Sequence, residues 1–198
     1  MKAVLWLKND MTSGSGDEKP WVIGETRTIK GKIELCTRGY HSSESWYDAL
    51  QYARGAMACI VEISGKTIQR GDKQVSATCK LIDARDAAKV LMEFDIDCAE
   101  RVLPNFEKYN PHDDRPRKAI KAARDFNKGL STQALPGVWP VVWPAVITGI
   151  FTTPTEWSVA KSVALSVVWS EAWSVSRLAE IKWQKQHLDK MIKKLFKE

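Results

Sequence analysis

Two hydrophobic rhythms divide the chain. Up to about residue 83 the apolar positions come in short runs or alternate with polar ones, as in strands. Beyond it they recur every three to four residues, as on one face of a helix. Ala3 to Leu7 predicts a first strand, followed by a polar turn from Thr12 to Gly16. Trp21 to Gly24 and Ile29 to Leu35 predict two more extended pieces, the second alternating Ile33 and Leu35 with charged neighbours. Arg38-Gly39-Tyr40-His41-Ser42-Ser43 reads as a turn into a helix, capped by Ser43 or Ser45 and carried on by Tyr47, Leu50, Gln51 and Ala53. Ala56 to Ile63 predicts an apolar strand ended by Ser64-Gly65, Gly71-Asp72 a turn, and Val75 to Ile82 a last strand.

Asp83 stands where it would cap a helix running through Ala87, Val90, Leu91, Phe94 and Cys98 to Leu103. Asn110-Pro111 breaks that helix, because the residue before a proline is pushed out of the helical region. Asp113 or Asp114 can cap the next one, with Pro116 in its first turn, where a missing N–H costs nothing. Ala119, Ile120, Ala123 and Phe126 give it an apolar face, and Lys128-Gly129 a stop. The expected fold is therefore α+β: a small mixed β-sheet domain over residues 1–83, then an all-α helical domain over 84–198.

The helical part is interrupted at about 131–156 by a nearly uncharged segment containing Trp139-Pro140 and Trp143-Pro144. Its apolar run is too short and too broken by proline to predict a membrane span. It reads as a loop packed by its own aromatics or as a hydrophobic patch that touches a membrane or a partner. A degenerate four-residue repeat follows, starting at Trp157, Lys161, Leu165, Trp169 and Trp173. A period of four overshoots 3.6, so each stripe drifts about 40° per repeat. Its serines and alanines permit close helix approach, and self-association through them is left open. Trp183, Leu188, Ile192 and Leu195 extend the helix opposite a lysine face.

Composition narrows the functional classes. The 198 residues are 44% hydrophobic and 27% charged, as in a globular protein. A net charge of +6 is compatible with an acidic partner, but six lysines lie between Lys182 and Glu198, the pattern of a solvated helix face. Nucleic acid is therefore not the expected partner. Cys36, Cys59, Cys79 and Cys98 form no CxxC pair and no metal-ligand spacing, which predicts free thiols in a reduced, cytoplasmic protein. MKAVLWLKND has neither the length nor the cleavage site of a signal peptide. No phosphate-binding glycine loop or HExxH motif is present, and no cofactor or metal is expected.

Two stretches carry resemblances. CAERVLP, DDRPRKAI and AAR, between Cys98 and Arg124, are similar to the signature of the putative immunity protein family of bacterial toxin systems. That resemblance implies a non-enzymatic, phage or bacterial conflict-system module that binds and neutralises a protein partner. The acids and bases of Asp113, Asp114, Arg115 and Arg117, with Trp139 and Trp143, would form the partner surface. They also suit a second role, capping and pairing that lock the turn.

The other stretch, Arg38 to Ser43 with Asp48 to Ala53 and Met57 to Gly65, resembles an uncharacterised phage and bacterial domain. More distantly it resembles the ADP-ribosyltransferase fold. That likeness implies a nucleotide cleft near His41, with Trp6 on the early strand, Ser43 beside the stacking position and Lys73 nearby. The late strand reads Asp72-Lys73-Gln74-Val75 where a catalytic glutamate would be expected, so a silent or altered site is implied. This is the alternative function: an ADP-ribosyltransferase-like enzyme, or a binder of NAD or ADP-ribose.

Overall fold

A computed structural model describes residues 1–14, 18–131 and 175–197. The chain divides into two compact units, residues 1–88 with 185–198, and residues 89–184.

The first unit is built on a long hairpin. β4 (Met57–Arg70) and β5 (Lys73–Asp86) pair antiparallel around Gly71, whose φ of +62° suits the tight turn. β1 (Lys2–Leu7) lies along β4, from Lys2 opposite Glu62 to Leu7 opposite Met57. β2 (Thr26–Thr28) and β3 (Tyr40–Ser42) both pair with β5, at Cys79 and at Val75 respectively. All of these pairings are antiparallel. On leaving β3, Ser43 exchanges two backbone hydrogen bonds of 2.9 Å with Val4. The path β1-β4-β5-β3 thus returns to β1.

Side-chain alternation explains the core. Ala3 and Leu7 of β1, Cys59, Val61 and Ile63 of β4, and Cys79 and Leu81 of β5 bury together with Trp21. Trp6 points the other way and meets Trp46 edge-on, ring centroids 5.5 Å apart. Trp46 begins α1 (Trp46–Leu50), capped by Ser45, whose Oγ accepts from the Asp48 N–H. The last helix, α4 (Val175–Leu195), brings Leu188 and Ile192 into this unit as fully buried residues. Burial of each such side chain contributes about 1.5–3 kcal/mol.

The second unit, where described, holds α2 (Ala88–Tyr109), α3 (Arg115–Asn127) and the first turns of α4. Ile96, Ala99 and Leu103 of α2 pack against Ala119, Ile120 and Ala123 of α3. The alanines let the two backbones approach. Lys128 ends α3, and Gly129 follows at φ +73°, the expected stop.

The α+β class holds, with some local expectations corrected. Asp83 is no helix cap: it lies in β5 opposite Ile60, and Asp86 accepts from the Ala88 N–H at the helix start. Ile29 to Leu35 forms no strand, although Ile33 is buried. The Arg38 guanidinium instead ties down the carbonyls of Lys30 and Lys32, at 2.9 and 2.7 Å. Ser64-Gly65 does not end β4, because a register shift there absorbs the extra residue and pairing resumes at Thr67. The Trp-Pro segment after Ser131 and the four-residue repeat up to Ser174 lie outside the described residues.

Candidate functional site

The turn between α2 and α3 concentrates charge on a short, well-tied corner. The Asn110 N–H closes on the Phe106 carbonyl, and the Asp113 N–H on that of Asn110. Asp114 occupies the N-cap position of α3 without a side-chain cap bond, with Pro116 in the first turn. Asp113 takes over part of the capping, its Oδ1 accepting from the Arg115 N–H at 3.1 Å and from Arg115 Nε at 2.8 Å. Hydrogen bonding to Arg115 pulls the Asp113 carboxyl down to about 2, so it is ionised throughout the physiological range.

Arg117 reaches back to α2 and holds Glu107 with two hydrogen bonds, 2.9 and 2.8 Å. This fork is the geometry an arginine makes best with a carboxylate. Lys118 pairs with Asp114 at 2.7 Å, one helical turn away. The corner nevertheless faces water: the side chains of Arg115 and Arg117 remain 82% and 66% exposed. Four of the expected partner residues, Asp113, Asp114, Arg115 and Arg117, therefore come together. Trp139 and Trp143 lie outside the described residues.

Behind the corner, Arg124 of α3 gathers three carboxylates spaced along one face of α2. Its Nη2 lies 2.8 Å from Asp97 and 3.0 Å from Glu100, with Nε 3.7 Å from Glu93. The sequence carries the signal for this hub, an acidic stripe at positions 93, 97 and 100 of one helix and an arginine, Arg124, in the last turn of the next. Asp95, on the same helix, is buried, and its Oδ2 has no hydrogen-bond partner among the described residues. Burial pushes its carboxyl well above the usual range.

The four residues expected to line a nucleotide cleft occupy different settings. Trp6 is buried, its Nε1 donating to the Trp46 carbonyl at 3.3 Å. Ser43 is buried in the backbone bridge to Val4. His41 is half-buried, and its Nε2 accepts from the Cys36 N–H at 2.7 Å, a role open only to the neutral ring. Burial is the main force lowering its basicity; nearby Lys73 adds to it and a hydrogen bond with Gly39 backbone opposes it. Lys73 stands 4.7 Å over the Tyr52 ring, and the Tyr52 hydroxyl donates to Asp72 at 2.8 Å. His41 and Lys73 are thus electrostatic neighbours, whereas Trp6 belongs to the aromatic core. Gly39 is needed at the turn: at its φ of +134°, a Cβ would collide with the Val75 side chain.

All four cysteines are free; Cys36 is exposed and the other three are buried. Burial raises the thiols of Cys59 and Cys79 to about 12, which makes them inert packing residues. Among the described residues no cluster of histidine, cysteine, aspartate and glutamate could hold a metal ion. Nor is any described helix long and apolar enough to cross a membrane.

Comparison with known proteins divides the chain much as the fold does. Residues 1–93 match a domain of unknown function, DUF7666, and residues 82–134 match the family described as Imm-5 like putative immunity protein. The second match covers α2, the charged corner and α3. No curated protein and no solved structure matches the chain. The resemblance of the first part to ADP-ribosyltransferases gains no support from these matches.

Proposed function

We propose that the chain is a non-enzymatic, immunity-type module that binds and neutralises a protein partner in phage or bacterial conflict. The observation that carries this reading is where the immunity-type match falls. Residues 82–134 include both helices and the exposed corner on which Asp113, Asp114, Arg115 and Arg117 are held in place. A charged surface already ordered before binding loses little side-chain entropy on docking, and it steers an oppositely patterned partner.

The test is a paired recovery and rescue experiment. The wild-type chain is expected to recover one protein at stoichiometric ratio from cells that encode it, and to relieve that protein's toxicity when the two are co-expressed. The double variant Arg115→Glu, Arg117→Glu should lose both. Recovery unaffected by the variant, or toxicity that persists beside the wild-type chain, would sink the proposal.

The second reading is a binder of an ADP-ribose-type nucleotide near His41. Its support is the closeness of Lys73 to His41. A thermal-unfolding scan with millimolar ADP-ribose separates the two, because a ligand at 100 times its dissociation constant adds roughly 2.7 kcal/mol to stability. A shift abolished by His41→Ala would favour this second reading.

A further inference from the structure

Ser42 of β3 and Gln74 of β5 face each other directly across the sheet, and both are buried, 5% and 1% exposed. Ser42 Oγ and both polar atoms of the Gln74 amide, Nε2 and Oε1, have no hydrogen-bond partner among the described residues. Three unpaired polar atoms on two adjoining residues run against the rule that buried polar groups are satisfied. On the other side of β5, Gln69 of β4 stands opposite Gln74. Its Nε2 donates to Glu44 Oε1 at 3.0 Å. Gln69 and Ser42 flank Gln74 from its two neighbouring strands, and Glu44 follows Ser42 by two residues. The Gln69–Glu44 hydrogen bond therefore ties the two flanks together beside the buried pair. Both of its members are exposed, so it exchanges for water easily.

We infer that Ser42 and Gln74 form a binding site for a neutral polar group carrying a hydrogen-bond donor next to an acceptor, entered by release of the Gln69–Glu44 link. A carboxamide offers a donor and an acceptor side by side, the pattern that reads a nucleobase edge or a second amide in two parallel bonds. The serine hydroxyl supplies a third contact of either sense. The charge around the pair disfavours an anion. Glu44 stands at the entrance, while strand alternation sends His41 and Lys73 to the opposite face. This site is independent of the charged corner and of the immunity-type reading.

The test uses the full chain and three probes at 10 mM (~100-fold above a 0.1 mM dissociation constant): adenosine, uridine and N-acetylasparagine amide. The expected result is a raised unfolding midpoint with at least one of them, the nucleosides marking a base ligand and the amide a peptide-like one. That shift should vanish in Gln74→Met and weaken in Ser42→Ala. Gln74→Met alone should unfold no earlier than wild type, since it removes an unsatisfied amide at nearly constant volume. The Gln74 side-chain amide signal in a nitrogen–proton correlation spectrum, assigned by its loss in Gln74→Met, should move with the same probe. No midpoint shift with any probe, a shift retained in both variants, or an unmoved Gln74 signal would overturn the inference.

Discussion

The indole of Trp46 stacks on the ring of Phe196, with centroids 5.6 Å apart and planes 21° apart. One residue opens the short helix after β3 and the other lies just past the end of α4. Asp189 strengthens the join, accepting from the Trp46 N–H at 3.4 Å, and Lys185 meets Asp48 at 2.7 Å. The sheet unit is thereby completed by the far end of the chain.

Replacing Phe196 with alanine is expected to cost the sheet unit about 2 kcal/mol, and Trp46→Ala about 3–5 kcal/mol, since Trp46 also loses its edge contact with Trp6. Urea unfolding measures both. If Phe196→Ala leaves the midpoint unchanged, the tail does not complete the core.

Removal of the Arg124 charge should destabilise the helical unit by about 1–2 kcal/mol, leaving Glu93, Asp97 and Glu100 to repel one another. Salt screens that repulsion, so Arg124→Met should recover part of its loss at 1 M sodium chloride. A loss indifferent to salt would assign the effect to packing instead.

Asp95 gives the protein an acid-side advantage. Its folded-state carboxyl is held well above the usual range by burial, so stability is fullest below the ordinary aspartate value and falls as pH rises through the raised one. Asp95→Asn should therefore unfold later than wild type at pH 7 and at nearly the same temperature at pH 4 (~3.9 being the ordinary aspartate value). Thermal scans at the two pH values read this directly, and an equal effect at both would contradict it.

His41 works in the opposite sense. Its folded-state basicity is depressed by burial, so its contribution is complete above the ordinary histidine value and is lost as pH falls through the lowered one. Protonation also ends its acceptance of the Cys36 N–H. Between pH 7 and pH 5 (~6.5 being the ordinary histidine value), wild type should lose more stability than His41→Gln. Parallel profiles would remove His41 from that account.

What could be read in advance follows from the range of the interactions. β1, the start of β4, α2 and α3 are set by local periodicity, and Ser45 and Gly129 by local backbone needs. Their positions were legible. Ile29 to Leu35 alternates like a strand, but strand formation requires a free edge, and Arg38 holds the segment as a loop. Gly65 reads as a terminator, yet a partner strand can absorb it as a bulge. The Trp46–Phe196 stack, the Ser43–Val4 bridge and the cross-strand meeting of Ser42 with Gln74 join residues far apart in sequence. No local pattern announces such pairings. At the corner, the four charged residues were visible in the sequence, whereas the hold of Arg117 on Glu107 depends on how α2 and α3 pack.

The most direct measurement of the central claim is titration calorimetry of the recovered toxic partner against the wild-type chain and against Arg115→Glu, Arg117→Glu. The account predicts a one-to-one complex with the wild type and an affinity at least about tenfold weaker for the variant (roughly 1.4 kcal/mol), with unfolding midpoints of the two chains closely matched. Equal affinities for wild type and variant would contradict it and move the search for the partner surface away from the corner.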